Sequence, residues 1–110
     1  MFRIKEINVI ELKKRFNENF SFTLLDVIEH HEVEFAKIES HAHIPMGRLT
    51  VRQGEIDKEK PIIVICHIGV RSARGCQYLE PLGYDVTNLE GGIDVWFMLV
   101  GPTNLLFLKG

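Results

Sequence analysis

The sequence is short of several things, and each shortage removes a class of protein. Two cysteines in 110 residues cannot frame a disulfide-stapled scaffold. No apolar run approaches the ~20 residues that span a bilayer. Behind Met1, the segment Phe2-Arg3-Ile4-Lys5-Glu6 lacks the apolar stretch of a secretory signal. No membrane partner is therefore expected, and a cytoplasmic location with reduced thiols is. Excess positive charge is missing too: 13 Lys and Arg against 15 Asp and Glu give a net charge of −2. Phosphate neutralisation needs clustered cations, so a nucleic-acid partner is not expected. Repeats, low-complexity tracts and linkers are lacking. What is there is 45% hydrophobic and 25% charged, an ordinary globular composition. One domain over 1–110 is expected, burying roughly two-thirds of the surface of the unfolded chain.

Short β-type runs alternate with helical patterns, which predicts an α/β fold with parallel strands. Phe2 to Ile7 reads as an opening strand. Asn8 stands three residues before Glu11 as a helix cap, and Val9, Leu12 and Phe16 follow at helical spacing over 9–18. Thr23 to Val27 is an apolar strand with an acid near its end. Glu29 to Ile38 is charged and amphipathic, Ile44-Pro45-Met46 a short strand or turn, and Leu49 to Asp57 a weak helix. Ile62-Ile63-Val64-Ile65 is apolar without alternation, the mark of a strand buried on both faces. Ser72 to Leu82 reads as a helix closed by Gly83. Asp85 to Leu89 is the last strand, and a short helical turn runs from Gly91-Gly92 to Trp96.

The chemistry concentrates in Cys66-His67-Ile68-Gly69-Val70-Arg71-Ser72. A cysteine ends the central strand, and a helix is expected five or six residues later. Ligands of open α/β sheets bind outside the carboxyl ends of strands. Gly69 permits a curl that turns backbone N–H groups toward one point. The helix start adds unpaired donors and partial positive charge, and Arg71 adds a full charge. Each favours thiolate over thiol at Cys66. The same cradle would hold an anion bound to the sulfur, such as a persulfide. The plainer alternative is a small core residue at a strand end.

These residues, with their neighbours, resemble a single-domain rhodanese over nearly the whole chain. Cys66 to Ala73 resembles that family's active-site loop, C-x-x-G-x-R-S. Leu25-Asp26-Val27 with Glu29, Ile44-Pro45-Met46, and Asn88-Leu89-Glu90-Gly91-Gly92-Ile93 before Trp96 match in the family's order and spacing. The resemblance implies a central parallel sheet of about five strands with helices on both faces. It implies a sulfurtransferase in which Cys66 takes a sulfane sulfur as a persulfide. The donor would be a small anion such as thiosulfate or a persulfide-bearing protein, and the acceptor a thiol or cyanide-like group. His67, Ile68, Gly69, Val70, Arg71 and Ser72 would line the substrate, and Asp26 would stand behind the loop. No metal or organic cofactor is implied. Related phosphatase and arsenate-reductase loops are one residue longer than the six from Cys66 to Arg71, so sulfur transfer is favoured over phosphoryl transfer.

Three departures from the family pattern bear on substrate. Ile28 replaces a frequent arginine, Ala36-Lys37-Ile38 replaces Gly-His-Ile, and Ile68 fills a loop position that is often polar, which suggests a dry pocket floor. The missing arginine lends some weight to a rival reading, a rhodanese-like interaction module without turnover. Cys76 reads as core rather than as a resolving thiol, with Gly75 allowing close helix–sheet packing. His30-His31 and His41-x-His43 match no common zinc spacing and read as exposed polar residues. His67 reads equally as a cationic guide for an anionic donor or as a solvent-facing loop residue. Trp96 reads as a packing anchor. The apolar tail around Leu105-Leu106-Phe107-Leu108 is a candidate dimer contact, a docked segment or a poorly ordered end.

Overall fold

The computed structural model describes residues 3–29 and 41–101. The amphipathic 29–38 stretch beyond Glu29, the His30-His31 pair, Ala36-Lys37-Ile38 and the tail around Leu105-Leu106-Phe107-Leu108, with the expectations attached to it, lie outside the described residues. In chain order the elements are β1 (Lys5–Ile7), α1 (Val9–Asn17), β2 (Thr23–Asp26), β3 (Ala42–His43), α2 (Leu49–Arg52), β4 (Ile62–Ile65), α3 (Val70–Leu79), β5 (Val86–Leu89) and α4 (Gly92–Leu99). Five strands form one parallel sheet in the order β1-β5-β4-β2-β3.

β4 is the middle strand, and all four of its residues are fully buried. Successive strand residues point to opposite faces, so both faces of the sheet are covered. α2 and α3 meet where Leu49 and Val64 lie against Gly75. α1 and α4 pack on each other through an edge-to-face contact of Phe16 and Trp96, with ring centroids 5.9 Å apart. Trp96 is fully buried and is the packing anchor its sequence context suggests.

Local chemistry explains most element ends. The Asn8 side chain accepts the Glu11 N–H at 2.9 Å and starts α1 as expected. Of the strand or turn expected at 44–46, the strand lies earlier, at Ala42–His43 (β3), and a 3₁₀ turn starts at Met46; Ile44 and Met46 donate to Asp26 and Val27 as the chain leaves the sheet. Pro45 has no N–H to continue a ladder. The weak helix after residue 49 is four α-helical residues between two 3₁₀ turns, Met46–Arg48 and Gln53–Glu55. α3 begins at Val70, two residues before the expected start, because Gly69 turns the chain in the left-handed region at φ 94°. Its last turn tightens to 3₁₀ over Glu80–Leu82, where Pro81 has no N–H to give.

Candidate active site

Cys66 leaves the carboxyl end of β4, and only three residues separate it from α3. In that space the chain curls back on the sulfur. The Gly69 N–H donates to Cys66 Sγ at 3.1 Å and the Ser72 N–H at 3.4 Å. Ser72 Oγ stands 3.3 Å from the same sulfur. The sulfur thus lies against the open N-terminus of a ten-residue helix, whose first N–H groups have no partner within the helix. Cys66 and Ser72 are fully buried.

The loop is held from behind by α4. The Ile93 N–H donates to the Cys66 carbonyl at 2.8 Å and the Asp94 N–H to the His67 carbonyl at 2.9 Å. Two unpaired donors of one helix therefore satisfy two loop carbonyls. This needs a very close approach. A Cβ on Gly92 would lie 2.4 Å from the Cys66 carbonyl oxygen and 2.5 Å from that of His67. Gly92 is there so that the backbones of loop and helix can touch.

Expected site residues do not all meet at one point. Cys66, Gly69 and Ser72 meet at the sulfur. Arg71 is half-buried in the first turn of α3. A cation there opposes the helix dipole, so helix stability does not account for it. Asp26 is buried at the end of β2, beside Ile65, and accepts the Ile28 N–H at 3.0 Å. His67 is half-buried, with Nδ1 3.3 Å from the Asp94 carboxylate, so it is neither a plain surface residue nor directed at the sulfur by this contact. Ile68 and Val70 point outward, 62% and 53% exposed. The dry pocket floor expected from Ile68 is therefore corrected to an apolar rim. Sequence reasoning missed Asn88 and Glu6, which are joined to the loop through Ser72 and Gly69.

Loop and glycine pair both lie inside a stretch that matches known proteins. A Rhodanese-like domain model matches residues 8–99. The chain belongs to the rhodanese family. The Bacillus subtilis protein YtwF is 36% identical over 92% of this chain and 98% of its own. A sulfurtransferase of Allochromatium vinosum is 32% identical over 84% of this chain and 88% of its own. The crystal structure of a rhodanese-related protein from Thermoplasma volcanium superimposes with a TM-score of 0.81. It shares 32% identity and covers 89% of this chain and 95% of that one. The expected fold, a five-stranded parallel sheet with helices on both faces, is thereby borne out.

Other positions of this rhodanese domain are structural. Ile28, where the family often has arginine, is fully buried in the core. His41 Nδ1 accepts the Leu24 N–H at 2.8 Å, and His43 Nε2 donates to the Ile28 carbonyl at 2.7 Å. His43 is half-buried, not exposed. Gly75 does not owe its place to tight packing: a Cβ there would find ordinary contacts of 3.5 Å and more. No described helix is long and apolar enough to cross a membrane.

Cys76 is fully buried in α3. Burial, and to a lesser degree the charges of Glu80 and Glu6, pushes its thiol from 9.0 up to about 12. The unfolded chain ionises this thiol near 9.0, and the fold withholds ionisation until about 12. The stability that this difference carries is complete below pH 9.0 and is lost as pH climbs toward 12. At about 1.4 kcal/mol per pH unit, up to ~4 kcal/mol is at stake. Cys76→Ala is expected to flatten the alkaline fall in urea midpoint. Equal slopes for variant and wild type would refute the assignment.

Proposed function

We propose that this rhodanese domain is a sulfurtransferase that carries sulfane sulfur as a Cys66 persulfide. The observation that supports it most is the convergence of the Gly69 and Ser72 N–H groups on Cys66 Sγ at a helix N-terminus. Donors fixed in this way stabilise an anionic sulfur without reorganising. The Cys66 thiolate attacks the outer sulfur of thiosulfate. A new S–S bond forms to Cys66, the old S–S bond breaks, and its electron pair leaves with sulfite. An acceptor then attacks the terminal sulfur of the persulfide. A thiolate becomes a persulfide, or cyanide becomes thiocyanate, and the Cys66–sulfur pair returns to Cys66 as thiolate. Charge balances in both steps, which call on no metal or organic cofactor.

Arg71 supplies the full positive charge in this scheme and draws the anionic donor to the loop. Asp26 braces the turn after β2 from behind. A persulfide on a partner protein is an equivalent donor, since the bond broken is again S–S. The apolar rim of Ile68 and Val70 is compatible with such a partner. Thiosulfate is expected to raise the intact mass by one sulfur, about 32 Da, and cyanide to remove it. A chain that gains no sulfur from thiosulfate or from low-molecular-weight persulfides would favour the interaction-module reading.

A further inference from the structure

Asn88 lies on β5, paired in register with Val64 of β4 and with Glu6 of β1. Its side chain is buried, 1% exposed, and fully engaged. Asn88 Nδ2 donates to the Gly69 carbonyl at 3.1 Å and to Glu6 Oε2 at 2.9 Å. Both partners can only accept, so the amide orientation is fixed. Oδ1 is thereby left facing Ser72 Oγ, and it takes the Ser72 hydroxyl proton. Ser72 has one such proton. While Asn88 holds it, Ser72 turns a lone pair toward Cys66 Sγ, 3.3 Å away.

That arrangement suits a thiol. The S–H donates to Ser72 Oγ, and the sulfur accepts the two backbone N–H groups. A thiolate at the same place needs the Ser72 proton for itself. Asn88 and the sulfur compete for one hydrogen. We propose that Asn88 is a positioning residue that sets, through Ser72, how readily Cys66 ionises. When the thiolate forms, the Ser72 hydroxyl swings from Asn88 Oδ1 to Sγ. Glu6 strengthens the Asn88 side of the competition by polarising its amide. Titratable or charged groups on the elements meeting here are Lys5 and Glu6 on β1, Asp26 on β2, His67 in the loop, Arg71, Arg74, Cys76 and Tyr78 on α3, and Asp94 on α4.

The inference takes Cys66 as the reacting thiol, as the proposed function does. Alkylation reads that thiol whether or not sulfur is ever transferred, so the two can fail separately. The test follows iodoacetamide alkylation of Cys66 against pH by mass, in the full chain carrying Cys76→Ala. Asn88→Leu keeps the branching at Cγ, though its methyl groups are bulkier, and releases the Ser72 proton to sulfur. Its alkylation midpoint is expected to fall by about one pH unit, the scale of one hydrogen bond to a charged group. Asn88→Asp is expected to raise the midpoint, because a carboxylate holds the hydroxyl more tightly and adds negative charge.

Adding Ser72→Ala separates the route from its alternatives. The Asn88→Leu shift should vanish there, and the Asn88→Asp shift should shrink to what its charge alone exerts. A folded Asn88→Leu variant without a shift overturns the proposal. So does a shift, from either substitution, that is equally large with and without Ser72. Asn88→Asp, close to asparagine in shape, carries the comparison if Asn88→Leu does not fold. A merely structural role for Asn88 would move the urea midpoint and leave no dependence on Ser72.

Discussion

Cys66→Ser is expected to abolish sulfur loading while the fold survives. The serine oxygen can accept the Gly69 and Ser72 N–H groups that now reach the sulfur, so the buried donors keep a partner. Stability should change by about 1 kcal/mol or less, the scale of one exchanged neutral hydrogen bond. Chemistry is another matter, because a serine hydroxyl neither ionises near neutral pH nor forms a persulfide. No second thiol can stand in. Both thiols are buried, but burial pushes that of Cys76 up to about 12, whereas two backbone N–H groups reach the sulfur of Cys66; neither cysteine is in a disulfide. Intact mass after thiosulfate treatment reads the outcome directly. Loading that persists in Cys66→Ser and disappears in Cys76→Ser would move the site to α3. Loss of cooperative unfolding in Cys66→Ser would show that the thiol is a core residue first.

Gly92→Ala is expected to do the reverse and damage fold and site together. Gly92 has φ 63°, in the region that side chains avoid, and the new Cβ would press on the Cys66 and His67 carbonyl oxygens. Those are backbone atoms, which cannot step aside as a flexible side chain does. Relief requires α4 to retreat, and the bonds from Ile93 and Asp94 to the loop stretch with it. Backbone strain of roughly 1–2 kcal/mol plus about 1 kcal/mol for each weakened hydrogen bond predicts a loss near 3–4 kcal/mol. Loading should fall as well, since the loop that holds the sulfur loses its support. Gly54→Ala is the control: a Cβ there meets nothing within 4 Å. Its unfolding free energy from urea titration should stay within about 0.5 kcal/mol of wild type, as for other surface changes. A Gly92→Ala variant as stable as the Gly54→Ala control would mean that loop and helix are less tightly joined than described.

The fold was legible because its strands are written as short apolar runs between polar turns. Ile62 to Ile65 announced a fully covered strand, and it is one. The loop was legible because a thiol, a glycine, an arginine and a serine stand at fixed spacing, and that spacing is local. What escaped was set by tertiary geometry. Gly69 in a left-handed turn moved the start of α3 forward, and no periodicity encodes φ. Ile68 reads as a floor because it is apolar, but the curl that aims its neighbour's N–H at sulfur points its side chain outward. Gly75 reads as a packing glycine, but the space beside it admits a Cβ with ordinary contacts. Asn88 reads in sequence as one polar residue in a strand. Its importance comes from partners at positions 6, 69 and 72, which the sheet alone assembles.

The support that α4 gives the loop also orders events during synthesis. Cys66 emerges from the ribosome before Asn88, Ile93 and Asp94, and its loop carbonyls wait for donors not yet made. β5 comes late as well, and it must slot between β4 and β1, joining residues 82 positions apart at Glu6 and Asn88. Pairings so distant in sequence form slowly, because the chain between them must close first. Until then the cysteine has the reactivity of any thiol on an unfinished chain. The surroundings of the sulfur come into being as the last described strand and helix close the sheet, so a nascent or truncated chain holds the proposed nucleophile without the donors that surround it.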